Sequence, residues 1–131
     1  MSYGKAIIMS FEIFAEGIEI SKLDSRSFSA DLTLPENLPV FNGHFPGNPI
    51  LPGVAYVFLA EKLTSRFLEE PFCLKQLKKT KFFRPTMPGE NLKIQGSISC
   101  DPADEKKINA QVTFSDSQMQ RVCLVKMIME K

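Results

Sequence analysis

The stretch Phe41–Leu63, FNGHFPGNPILPGVAYVFLAEKL, decides how the rest of the 131-residue chain is read. It holds the only histidine, His44, and places three prolines and three glycines between Gly43 and Gly53. So many prolines leave a loop few backbone conformations, which predicts a rigid segment. Pro52 just before Gly53, followed by VAYVFLAEKLTSRFLEE, predicts a proline at the first helical position and a helix over about 53–69. His44 then sits on a stiff loop leading into the electropositive end of that helix, a setting suited to chemistry in which a group becomes negative. The run Val54–Ala60 is apolar without interruption, which predicts burial of the first two turns on every side. Further on, Glu61, Lys62, Ser65 and Arg66 alternate with Leu63, Phe67 and Leu68, so the second half is one-sided. A sheet wrapped around the helix would produce this change.

Working outward, the flanking segments supply such a sheet. Met9–Ile20 places Phe11, Ile13 and Ala15 on alternate positions and reads as a strand with a bulge at Gly17. Arg26–Leu34 alternates cleanly, with Phe28, Ala30, Leu32 and Leu34 on one face. Beyond the helix, 72–83 reads as a strand and Arg84–Glu90 as a turn. Leu92, Ile94, Gly96, Ile98 and Cys100 alternate with polar residues, as do Ile108, Ala110, Val112 and Phe114. A polar hairpin loop is expected over Asp101–Lys107, and Met119–Met129 reads as a last strand with both faces partly covered. The expectation is one α+β domain spanning 1–131. It has about six largely antiparallel strands, the last four in meander order, curled around one long central helix.

Composition narrows the function. Sixteen basic and 15 acidic side chains leave a formal charge of +1, so no global field points to nucleic acid. Cys73, Cys100 and Cys123 form neither a disulfide framework nor a metal-ligand spacing, which suits a reducing cytoplasm. No apolar run reaches the roughly 18 residues of a membrane span, and no signal-peptide pattern opens the chain. The spacings of a serine-hydrolase elbow, a phosphate-cradling loop and a metal site are missing.

The motif GHFPGNPILPGV resembles the signature of the beta-hydroxyacyl-(acyl carrier protein) dehydratases, whose fold is the hotdog. The likeness continues in KKTKFFRPTMPGENLKIQ (Lys78–Gln95), similar to that family's strand–turn–strand. The resemblance implies elimination of water from a 3-hydroxyacyl thioester, with His44 as the base. A neutral imidazole suits that task because its ordinary pKa lies near 6.5. Backbone N–H groups at Gly53 and Val54 would steady the enolate-like oxygen, an effect worth about 3–4 kcal/mol per donor in other enzymes. Phe45, Pro46, Gly47, Pro52, Val54 and Phe58 are expected to contact the substrate. The resemblance further implies an acyl carrier protein or coenzyme A thioester as substrate, bringing its own 4′-phosphopantetheine arm. It implies no other cofactor or metal, and at least a homodimer.

One position departs from the pattern. The family carries Glu or Asp on the buried helix fourteen residues after the histidine, and this chain has Phe58 there. Glu61, about 60° round the helix and roughly 4.5 Å along it, is the substitute candidate, with Tyr56 at a poorer angle. Two alternatives to a dehydratase therefore stand. One is a hotdog thioesterase using Glu61. The other is a non-catalytic acyl-thioester-binding protein, or a half-site subunit whose carboxylate comes from another chain. Lys75, Lys78, Lys79, Lys81 and Arg84 read either as protection of a strand edge or as a carrier-protein docking surface. The run Val54–Leu59 reads as core or as the wall of an acyl tunnel.

Overall fold

The structure, a computed structural model, describes residues 11–37 and 50–131. His44, Phe45, Pro46 and Gly47 lie outside the described residues. Residues 11–16 are helical (α1), followed by β1 (Ile20–Asp24) and β2 (Ser27–Thr33). The long helix α2 spans Gly53–Leu68, and β3 (Cys73–Phe82), β4 (Asn91–Asp101), β5 (Asp104–Ser115) and β6 (Arg121–Glu130) complete the chain. The strands form one six-stranded antiparallel sheet in the order β1-β2-β4-β5-β6-β3.

Phe28, Ala30, Leu32 and Leu34 all turn inward, as their alternation predicts, and so do Leu92, Ile94, Ile98, Ile108, Ala110, Val112 and Phe114. The buried side of α2 carries Ala55, Tyr56, Leu59, Ala60, Leu63, Thr64 and Phe67. Phe67 meets Phe28 at 5.0 Å between ring centroids, and Tyr56 meets Phe114 edge-on at 5.3 Å. Burying each large side chain contributes about 1.5–3 kcal/mol, so this helix–sheet contact is the main source of stability.

Six local expectations are corrected. Residues 11–16 are helix rather than strand. The buried positions are Phe11, Ala15 and Ile18, with Phe14 half-buried and Ile13 exposed, a 3.6-residue period that the Phe11/Ile13/Ala15 alternation concealed. Gly17 ends this helix instead of bulging a strand: its N–H and that of Ile18 donate to the carbonyls of Phe14 and Ala15, and Arg66 Nη1 caps the Ala15 carbonyl at 3.1 Å. The last four strands are not a simple meander, because β3 pairs with β6 and leaves β4 to pair with β2. The Arg84–Glu90 turn carries the chain across, tied down by Leu34 N–H to the Glu90 carbonyl and Gly89 N–H to the Leu34 carbonyl. The hairpin between β4 and β5 shrinks to Pro102 and Ala103, because the carboxylates of Asp101 and Asp104 accept the N–H groups of Ala103 and Lys106 and close tight local turns. Pro52, with extended backbone, caps α2 rather than opening it. Finally, α2 is not buried all round at its start, since Val54 is 74% exposed.

Candidate functional site at the N-terminus of the central helix

Helix α2 begins at Gly53 directly after the proline-rich segment, with the Ala55 N–H bonded to the Pro52 carbonyl. Among the described residues no side chain caps this end, and no acidic residue lies in the first turn, so the positive end of the dipole is not offset by α2's own side chains. Phe82, at the end of β3, lays its ring against Gly53: a Cβ there would stand 2.9 Å from Cζ. Gly53 is thus glycine for space on the Phe82 side, a requirement separate from substrate approach. The sequence reading missed Phe82. Its only signal was the aromatic pair in KKTKFFRP.

Two hydrogen bonds fasten this end of the helix to the Arg84–Glu90 turn. Leu51 N–H donates to the Thr86 carbonyl at 2.7 Å, and the Tyr56 hydroxyl donates to Thr86 Oγ1 at 2.5 Å. Both side chains are buried, and burial pushes the Tyr56 phenol up to about 12, so it stays protonated. Tyr56 is a strut rather than a titrating acid. Arg84 holds the turn from its other side, with Nη2 on Glu90 Oε1 at 2.8 Å and on Asp116 Oδ2 at 3.3 Å, and Nη1 on the Pro85 carbonyl. The Arg84 guanidinium and the Met87 N–H hold the Glu90 carboxyl below the usual range. Asp116 is lowered first by the N–H groups of Gln120 and Gln118, then by Arg84.

Glu61 and Phe58 face different tasks. Glu61 Oε2 accepts the Leu74 N–H at 2.6 Å and so anchors the start of β3 to the helix. Phe58 is half-buried, with its ring 5.5 Å from that of Phe11 and Lys62 Nζ 5.6 Å from its centre. It lines a groove of about 290 Å³ between α1 and α2 together with Glu12, Glu16 and Arg66. Phe58, where the resemblance implies a carboxylate, thus makes an aromatic contact with α1. Val54 and Pro52 remain at the helix start, Val54 open to solvent.

The basic residues divide. Arg84 is committed to its two carboxylates, whereas Lys81 lies 5.2 Å from the Phe83 ring centre and Lys75 pairs with Glu130. Lys78 and Lys79 sit on the outer surface of the sheet. Among the described residues no cluster of His, Cys, Asp and Glu has the geometry of a metal site, and no helix is long and apolar enough to cross a membrane.

A curled antiparallel sheet around one helix, with a proline-rich segment feeding the helix start, defines the hotdog class. Within it, residues 20–125 match the ApeI-like family, described as ApeI dehydratase, and the chain belongs to that family. The 3-hydroxyacyl-[acyl-carrier-protein] dehydratase FabZ of Syntrophobacter fumaroxidans is 39% identical over 91 residues, covering 63% of this chain and 61% of that protein. The FabZ of Rickettsia felis is 31% identical over 104 residues, covering 72% of this chain and 71% of the relative. Among solved structures, the dehydratase heterocomplex ApeI:P from Xenorhabdus doucetiae superimposes with a TM-score of 0.69 at 22% identity, covering 86% of this chain and 95% of that one.

Proposed function

We propose that this protein is a 3-hydroxyacyl-(acyl carrier protein) dehydratase acting on acyl thioesters in fatty-acid or related acyl-chain synthesis. The observation that carries the reading is the start of α2 at Gly53, with no side-chain cap among the described residues and directly following the His44-bearing motif in sequence, in a chain of this family. The thioester oxygen would lie at the N–H groups of Gly53 and Val54, with Phe45, Pro46, Gly47 and Pro52 beside it. His44 would take the proton from C2, and the charge gathered on the thioester oxygen would meet the helix terminus. Breaking the C3–O bond then releases the hydroxyl, which needs one proton to leave as water. The imidazolium formed in the first step carries one.

The substrate would arrive on a carrier protein or coenzyme A and bring the phosphopantetheine arm, so no further cofactor enters the scheme. We further propose a homodimer formed along β3. Among the described residues this strand ends the sheet, and the exposed ring of Phe82 at its end lies against Gly53, next to the exposed Val54. Burying such a patch in a second copy is the ordinary outcome for exposed apolar surface of this kind.

Phe58 supports a second reading, a half-site subunit that completes its acid in a different chain; the ApeI:P relative is by its name a heterocomplex. Incubating the pure protein with 3-hydroxyacyl and enoyl thioesters separates these. Reversible hydration that is lost in His44→Ala with an unchanged melting temperature supports the dehydratase. Release of free thiol means a thioesterase, and binding without turnover means a half-site. Full activity in His44→Ala would remove the histidine from the mechanism.

A further inference from the structure

The outer face of the sheet, opposite α2, carries a row of polar side chains that the thioester site does not use. The strand registers place Ser97, Gln111, Lys126 and Lys79 side by side across β4, β5, β6 and β3. Neighbouring strands lie about 4.8 Å apart, so the row runs about 14 Å straight across the sheet. All four residues are exposed while their strand neighbours Ile98, Val112, Val125 and Met127 are buried, so the row belongs to the outer face. Asn109 and Lys78 border it, and together they line a groove of about 460 Å³.

The charges in this row are unfavourable as they stand. Lys79 and Lys126 are direct cross-strand partners, an arrangement in which like charges repel. The register slips between Leu77 and Lys79, which makes Lys78 the extra residue beside the same pair. None of the three lysines has a carboxylate partner among the described residues. All Asp and Glu of the chain fall within those residues, so no acid outside them supplies the missing charge. Edge protection accounts for lysines on β3, which among the described residues of one chain ends the sheet. It does not account for Lys126 on an interior strand, nor for the hydroxyl and amide groups reaching two strands further in.

We propose that this groove is a binding site for a phosphate oxyanion. Three ammonium groups supply the charge, and the Ser97 hydroxyl and the Gln111 and Asn109 amides supply neutral donors for the remaining oxygens. A volume of about 460 Å³ suits a ligand with more than one phosphate and is within the usual range of small-molecule sites. The phosphate is either free or nucleotide-borne, and the chemistry that recognises it is the same. Two of the residues expected to dock a carrier, Lys78 and Lys79, thereby gain a local role independent of the helix N-terminus.

The test is calorimetric titration of the full chain with inorganic pyrophosphate at low ionic strength, alongside Lys79→Gln/Lys126→Gln and the surface control Lys106→Gln. The site requires saturable binding with one groove per chain, weakened about tenfold or more in the double variant and unchanged in the control. It also requires the ligand-free double variant to melt no lower than the parent, because a repulsive pair has been removed. Adenosine 3′,5′-bisphosphate, which has no thiol arm, distinguishes the sources: tighter binding than pyrophosphate assigns a nucleotide-borne phosphate, and weaker binding a free one. Absence of binding, or equal binding in parent and double variant, overturns the proposal whatever happens to thioester turnover.

Discussion

Phe28 on β2 and Gly96 on β4 are direct cross-strand partners, and the Phe28 ring occupies the space a side chain at 96 would need. A Cβ at Gly96 would stand 2.2 Å from Cε1 and 2.3 Å from Cζ. Phe28 is fully buried and packed on Phe67 of α2, so it has nowhere to go. Gly96→Ala is expected to destabilise the protein by about 3 kcal/mol, at the upper end for overpacking. Urea unfolding measures it, and a loss below half that value would mean the ring can move.

The same substitution at Gly53 has a different outcome. There the obstacle is Cζ of Phe82, the far end of a side chain that is 52% exposed and free to swing outward. Gly53→Ala should therefore cost about 1 kcal/mol or less, and the cost should vanish in Gly53→Ala/Phe82→Ala. Any large fall in turnover by the single variant is then assigned to the reacting oxygen rather than to folding.

Tyr56 and Cys123 both make the fold sensitive to alkali. Burial raises the Tyr56 phenol from 10.0 to about 12 and the Cys123 thiol from 9.0 to about 12. A group whose pKa is raised by folding contributes stability that is complete below its unfolded value and is lost as pH climbs through the folded one. Stability should fall from about pH 9 upward, in Cys123→Ala only from about pH 10, and in Tyr56→Phe with a shallower slope between 10 and 12. Melting temperatures across this range provide the measurement. Tyr56→Phe also costs about 1 kcal/mol at neutral pH through the lost bond to Thr86.

What could be read from the chain depended on whether the information was local. Period-two alternation in 28–34, 92–98 and 108–114 reports the local choice of face, and it was legible; it fails at Cys100, which is exposed where the register shifts at the end of β4. The Phe11–Ile18 segment defeated the same rule because Phe11, Ile13 and Ala15 satisfy a two-residue period while Phe11, Phe14, Ala15 and Ile18 satisfy a helical one. Contact with Arg66 and Phe58 from α2 decides between them, and that contact is invisible in sequence. Strand order failed for the same reason, since the pairing of β3 with β6 joins residues far apart in the chain. At the helix start, Gly53 was legible from the motif. The partners Phe82 and Thr86 were not, because they arrive from the other end of β3.

Arg84 links Glu90 and Asp116, and this produces an acid limb. Hydrogen bonds from Arg84 lower Glu90, and those from the Gln120 and Gln118 N–H groups, with Arg84, lower Asp116. Stability from lowered carboxyls is present above their unfolded values near 4 and is lost as pH falls through the folded ones. Arg84→Met should lower the melting temperature at pH 7 and flatten its dependence below pH 4.5, with Glu90 contributing most of the change. An unchanged acid slope would assign it to carboxylates elsewhere, such as Asp31 with Lys93.

Phe58 is the position at which chemistry and packing compete. Its ring meets Phe11 and shields the flank of α2, so Phe58→Glu removes an apolar contact and sets a carboxylate beside Glu12 and Glu16, with Lys62 and Arg66 close by. A drop in melting temperature of several degrees is expected for both Phe58→Glu and Phe58→Gln, because both lose the aromatic contact. Only the carboxylate can exchange a proton, so only Phe58→Glu should raise enoyl-thioester hydration, by about a hundredfold if it reaches the substrate. The kcat/KM of the two variants against the parent measures this. Equal rates in Glu and Gln variants would mean that an acid on this face of α2 does not reach the reacting carbon, and that the proton for the leaving hydroxyl comes from His44 or from another chain.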